Sequence, residues 1–284
     1  MRLKISHTTV YEYDEPVPYS LQRLRLTPVD GPNQKVLSWM VSVDGAKVEA
    51  GYADHFGNRV ELVSAEGTQN TIRIVAAGEV ETEDKSGVVG PHQGFCPLWL
   101  FLRETPLTAP GPLVEALVKT LEGENDLARM HALMEAVNAD VAYIPGTTTT
   151  ETPAEDVLAA KTGVCQDHAH VFISAARLME IPARYVSGYL LMDGQPEQTA
   201  THAWAEAHVP GLGWVGFDAA NNVCPDERYV RIASGLSYTD CAPVSGLRLG
   251  PANEDLTVSL SVTPSEVQTQ SQSQKGQSQS QSQG

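Results

Sequence analysis

The 284-residue chain carries 35 acidic against 19 basic residues, a formal charge of −16, and 42% of its residues are hydrophobic. That apolar share suffices for a sizeable core spread over two domains, while the acidic balance argues against sequence-independent binding to nucleic acid or to an anionic membrane. No stretch approaches the roughly 20 apolar residues of a membrane helix, and the alternating opening from Met1 to Val10 reads as a strand, not a signal peptide.

Residues 1–85 contain the short alternating runs LKISHTTVYEY, LQRLRLTPV, VLSWMVSV, NRVELVSA and NTIRIVAAGEV, separated by turn residues. Period-two alternation bounded by such breakers predicts a β-sandwich-like amino-terminal domain. His7 and His55 are expected at its surface or strand ends, and the acidic run Glu79 to Lys85 as a solvated loop. Residues 86–111, with Pro97, the Trp99 to Leu102 run and Pro106, read as a crossing between domains that would let the first domain wall one side of a cleft.

A core domain is expected over residues 112–264. Helical spacing recurs over 112–121 and over 126–141, where Leu127, Met130, Leu133, Met134 and Val137 share a face. Thr152-Pro153-Ala154-Glu155 has the form of a capping box with proline in the first turn. Beyond residue 218, Leu256, Val258, Leu260 and Val262 alternate with Ser and Thr as a half-buried strand. Residues 265–284 are dominated by Ser and Gln, cannot bury enough apolar surface to fold, and are expected to be disordered.

One cysteine stands apart from this framework. Gly163 and Val164 break the chain, after which Cys165, Ala169, Phe172, Ala176 and Met179 recur at helical spacing, with Asp167, His170, Ser174 and Arg177 as a narrower polar stripe. The helix is expected to be mostly buried, with its amino end reaching solvent. Unpaired N–H groups and the helix dipole there favour a negative sulfur.

A base and its orienting partner follow downstream. In THAWAEAHV, His202, Trp204, Glu206 and His208 alternate with small residues at strand period, and GWVGFDAANN carries Asp218. Pro210 and Gly211 between them predict a hairpin. An odd loop centred on Pro210 or Gly211 sets His202 and Asp218 on one face, whereas an even loop without a bulge separates them.

These residues resemble a known family. Gly-Val-Cys-Gln-Asp at 163 to 167, Ile-Pro-Ala-Arg-Tyr-Val-Ser-Gly-Tyr at 181 to 189, His-Ala-Trp at 202 to 204 and Gly-Trp-Val-Gly-Phe-Asp at 213 to 218 are similar to the transglutaminase-like cysteine peptidase superfamily. Tyr52 to Asn58 and Pro243 to Gly246 resemble its bacterial branch with an additional amino-terminal domain. The resemblance implies an α+β fold, a papain/transglutaminase-like core in which the cysteine-bearing helix packs on an antiparallel sheet, and a triad of Cys165, His202 and Asp218. Ala219-Ala220 stand where many relatives have Pro-Thr, and Leu236-Ser237 where an Arg-Asp pair is common.

The chemistry expected is attack on an amide by the Cys165 sulfur, with His202 moving the proton and Asp218 orienting the imidazole. The acyl-thioester then passes to water, giving a peptidase or amidase acting on a peptide or protein, or alternatively to an amine, giving a transglutaminase. The Cys165 N–H is a natural oxyanion donor, and the sequence names no second one. No metal or organic cofactor is required. A metal site built from Cys165, His168 and His202 is a rival reading without paired CxxC or HxxxH motifs. A catalytically idle interaction module of the same fold is another. His168 and His170 are expected on the helix surface or as supporting groups, and Asp167 as a cap. Irregularly spaced Cys96, Cys224 and Cys241 read as buried free thiols, consistent with a reducing cytoplasm.

Overall fold

The computed structural model describes residues 1–67, 70–250 and 253–265, so the expected Ser/Gln-rich tail lies outside the described residues from residue 266 onward. The chain opens with β1 (Arg2–Tyr13), β2 (Tyr19–Thr27), β3 (Gln34–Asp44), β4 (Lys47–Ala53), β5 (Arg59–Glu66), β6 (Thr71–Thr82) and β7 (Val88–Gly90). A 3-10 turn (Leu98–Leu102) leads to α1 (Pro112–Lys119), α2 (Asp126–Asp140), β8 (Ala142–Tyr143), α3 (Ala154–Ala160), β9 (Thr162–Gly163) and α4 (Cys165–Leu178). The remainder is β10 (Ala183–Leu190), β11 (Glu197–Gln198), β12 (His202–Val209), β13 (Gly213–Phe217), β14 (Tyr229–Gly235), α5 (Tyr238–Cys241), β15 (Val244–Leu249) and β16 (Glu254–Pro264).

Two sheets, ordered β11-β16-β1-β6-β3 and β15-β2-β5-β4, enclose a core of Tyr11, Leu24, Val63, Ile72 and Ile74. The in-and-out alternation along β1 and at both ends of β6 makes that sandwich. A third sheet, β14-β10-β12-β13-β7, carries α4, and the alanines of β12 (Ala203, Ala205, Ala207) leave room for Phe172 and Ala176 to approach closely. The result is the expected α+β architecture.

The expected core range 112–264 differs from the strand pairing. β15 pairs with β2 and β16 with β1, so the last two strands complete the amino-terminal sheets. β4 was not anticipated from the sequence because KVEAGYA lies exposed along its whole length and has no face to pattern. Part of the acidic run is also strand, since β6 extends to Thr82.

The capping box at 152–155 does not form. Pro153 is the N-cap of α3, and Glu155 reaches instead to the Leu113 and Val114 N–H groups at 2.7 and 3.2 Å, capping α1. Arg177, buried near the carboxyl end of α4, donates to the carbonyls of Phe101, Ala183 and Leu236 and to the Thr108 hydroxyl. It ties the crossing to the carboxyl end of α4.

His7 is not at the surface. It is 2% exposed, bonded through Nδ1 to the Tyr189 hydroxyl at 3.0 Å and through Nε2 to Thr9 at 3.2 Å. Burial pushes it from its ordinary 6.5 down to about 4. The unfolded chain therefore takes up this proton first as pH falls, and the contribution, full above the ordinary value, is lost between there and about 4. His7→Gln is expected to lose roughly 2 kcal/mol less stability than the parent on going from about pH 7 to about pH 5, as urea unfolding at the two pH values would measure. No helix among the described residues is long and apolar enough to cross a membrane.

Candidate active site

The site is assembled where the amino end of α4 meets the start of β12. β8 and β9 form a short parallel pair with Tyr143 opposite Gly163, fixed by Ala142 N–H to the Lys161 carbonyl and Ile144 N–H to the Gly163 carbonyl, both at 2.9 Å. His168 holds this pair to α4, with its ring nitrogens against the carbonyls of Val164 (2.8 Å) and Val141 (2.9 Å). Both nitrogens thus face oxygen acceptors, leaving no lone pair directed at a metal, and the His168 ligand reading does not fit. His168 and His170 are buried rather than on the helix surface.

Asp167 turns back to accept the Val164 N–H at 2.7 Å and the Thr148 hydroxyl at 2.6 Å through Oδ2. A side chain at Gly163 would place its Cβ 2.7 Å from the Asp167 Cβ and 2.8 Å from Oδ2, so this approach admits only glycine. Burial pushes the Asp167 carboxyl up, against the downward pull of its hydrogen bonds to Thr148 and Val164. The cap leaves the Cys165 N–H in the first turn of α4 without a hydrogen-bond partner among the described residues.

The histidine and aspartate arrive by the hairpin. Val209 pairs with Gly213, so the loop spans residues 210–212, an odd count centred on Gly211, and Gly213 itself takes a positive φ of 80°. His202 Nε2 lies 2.6 Å from Asp218 Oδ2, and the thiol of Cys165 neighbours the ring, for which Nδ1 is the remaining nitrogen. Burial alone would lower the His202 pKa; hydrogen bonds and charge from Asp218 and Cys165 outweigh it and raise it to about 10. The structure brings all three sequence-predicted residues together.

Three further residues in contact with this group were not legible in the sequence. Asp218 Oδ2 also accepts from the Tyr229 hydroxyl and from Asn221 Nδ2, each at 2.8 Å, while Oδ1 accepts the backbone N–H groups of Ala220 (3.1 Å) and Asn221 (3.3 Å). Burial raises the Asp218 pKa, but these donors and His202 pull it below the usual range. Asn221 thus serves the carboxylate beside the Ala219-Ala220 departure noted in the sequence. The third residue is Tyr143, 53% exposed, whose hydroxyl lies beside the Cys165 thiol. Burial, first, and then the neighbouring Cys165 push its phenol up to about 12. Its signal was only an apolar run, Ala142-Tyr143-Ile144, after an amphipathic helix. Trp204 packs beside the His202 ring at 6.3 Å and edge-on to Tyr229 at 5.5 Å, closing the rear of the site.

Residues 3–81 match the bacterial transglutaminase-like N-terminal region, and residues 115–219 match the transglutaminase-like superfamily. An uncharacterized protein of Mycobacterium leprae is 30% identical over 276 residues, covering 92% of this chain and 98% of that one. The chain belongs to the transglutaminase-like superfamily. An uncharacterized protein of Mycobacterium tuberculosis is similar at 28% identity over 296 residues, covering 93% of each chain. Among solved structures, a candidate cysteine protease from Cytophaga hutchinsonii aligns with a TM-score of 0.74 and 25% identity, covering 94% of this chain and 92% of that one. The likeness extends over both parts of the transglutaminase-like chain, the amino-terminal sheets included.

Proposed function

We propose that the chain is a thiol-dependent amide-bond hydrolase whose nucleophile is Cys165, with His202 as proton carrier and Asp218 as its orienting partner. The observation that supports this most is the juxtaposition of the Cys165 thiol, at the amino end of a buried helix, with a His202 ring that Asp218 holds by a 2.6 Å hydrogen bond. The likeness to a candidate cysteine protease is in keeping with a peptide or protein substrate.

In this reading the thiolate, paired with the imidazolium of His202, attacks the substrate carbonyl, and the negative charge moves from sulfur to oxygen. The Cys165 N–H meets that oxygen, and the Tyr143 hydroxyl, beside the sulfur, follows the charge as the second donor. His202 then protonates the departing nitrogen, leaving an acyl-thioester on Cys165. Water attacks next, losing its proton to His202, and the carboxylic acid product leaves with the thiolate restored.

Tyr143→Phe is expected to reduce kcat by about 10²-fold with little change in KM, because a donor to developing charge acts on the transition state. Steady-state kinetics on one peptide substrate would measure it. Hydrolysis is tested by incubating the protein with a glutaminyl peptide and a labelled primary amine. Acid product with little label supports the reading, and incorporation of the amine with little acid would replace hydrolysis by acyl transfer.

A further inference from the structure

A second feature lies on the face of the third sheet that also bears Trp204 and Glu206, where the loop after β2 folds over β10 and β14. There a cavity of about 150 Å³ is lined by Arg184, Arg231, Asn33, Gln93 and Ser234 on its polar side, with Phe56 and Trp214 among its apolar walls. Glu206, 1% exposed, takes both arginines: Arg184 through Nε and Nη2 at 2.7 Å, and Arg231 through Nη2. Two guanidinium groups thus share one carboxylate, and one positive charge is in surplus. Asp30 also lines the cavity and accepts the Val36 N–H at 2.8 Å, but it is exposed, so solvent screens its charge from the buried arginine pair.

The surplus is directed at the cavity. Arg184 is 8% exposed and lies 4.0 Å over the Trp214 ring, yet its Nη1 has no hydrogen-bond partner among the described residues. The side-chain amides of Asn33 and Gln93 and the Ser234 hydroxyl likewise make no hydrogen bond among the described residues. A guanidinium end without a protein acceptor is free to take a ligand's oxygens, and a bidentate oxyanion is the group its fork matches. Burial pushes Arg184 down to about 10, with Glu206 offsetting only part of that and Arg231 adding to it. The chain's overall negative charge does not cancel this locally, because charges in solvent are screened over about 10 Å.

We infer that this cavity is a binding site for a small monocarboxylate carrying an apolar body, its carboxylate held by Arg184 and Arg231 and its body against Trp214 and Phe56. A single negative charge balances the surplus, whereas a phosphate dianion would overshoot it. The site is distinct from the proposed catalytic group: Glu206 stands four residues along β12 from His202, about 13 Å, with Trp204 and Tyr229 beside the histidine. Nothing in it depends on the reaction proposed above.

The test uses the full chain with sodium benzoate as probe and benzamide as the uncharged isostere, followed by titration calorimetry and by the NMR signal of the Trp214 indole N–H. Saturable benzoate binding that shifts this indole signal, with at least tenfold weaker binding of benzamide, is expected. Arg231→Gln removes the surplus charge and should weaken benzoate at least tenfold, while Arg231→Lys retains most of the affinity. The inference is overturned if the parent chain shows no saturable benzoate binding, if benzamide binds equally well, or if inorganic phosphate binds more tightly than benzoate. Equal benzoate affinity in folded Arg231→Gln would also overturn it. The comparison of benzoate with benzamide on the parent chain decides the matter even if that variant fails to fold.

Discussion

Replacing Cys165 by alanine is expected to lower amide turnover by about 10⁵-fold or more, with the fold intact. In the proposed reaction every covalent step passes through this sulfur, and neither His202 nor the oxyanion donors can form the thioester. The side chain is small and sits in the first turn of α4, so the alanine leaves little cavity behind. Serine at the same position should not restore the rate, since a hydroxyl holds its proton far more tightly than a thiol. The measurement is kcat/KM on a single peptide together with far-ultraviolet circular dichroism. A Cys165→Ala chain that retains turnover within tenfold of the parent would remove this residue from the mechanism.

The second large effect belongs to Asp218→Asn, expected to cost about 10³ to 10⁴ in kcat with KM little changed. Asp218 is fully buried and its two oxygens accept from His202, Tyr229, Asn221 and two backbone N–H groups. An amide of the same shape cannot accept all of these, because one of its termini is itself a donor. It also removes the negative charge that favours the imidazolium, so the His202 pKa falls and the ring is held less firmly in the tautomer that serves the sulfur. Tyr229→Phe removes only one of the donors and should cost far less. If Asp218→Asn and the parent share the same kcat, the aspartate is a structural group and not part of the proton path.

Much of this arrangement can be read from the sequence because its signals are local. The α4 helix announces itself by apolar spacing from Cys165, and its dipole belongs to whichever residue begins it. The Pro210-Gly211 turn sets hairpin parity, and the three-residue loop puts His202 and Asp218 where the parity argument requires. What escaped depends on contacts between distant segments. Tyr143 reaches the cysteine only because two-residue β8 lies beside two-residue β9, too short a pairing for any periodic pattern. His7 reads as an ordinary strand residue until β10 brings Tyr189 against it. Glu155 follows the spacing of a local cap, yet its carboxylate serves a helix some forty residues earlier. The return of β15 and β16 to the first sheets was similarly hidden, since alternation identifies a strand without naming its neighbour.

The most direct test of the central claim is a histidine NMR titration of His202 in the parent chain and in Cys165→Ala. The parent ring is expected to keep its proton up to about 10, held by Asp218 and Cys165 against the cost of burial, and removing the sulfur to lower this value. An imidazole that titrates at the same pH in both chains would mean that the sulfur and the ring do not share a proton, and the proposed nucleophile would have no base.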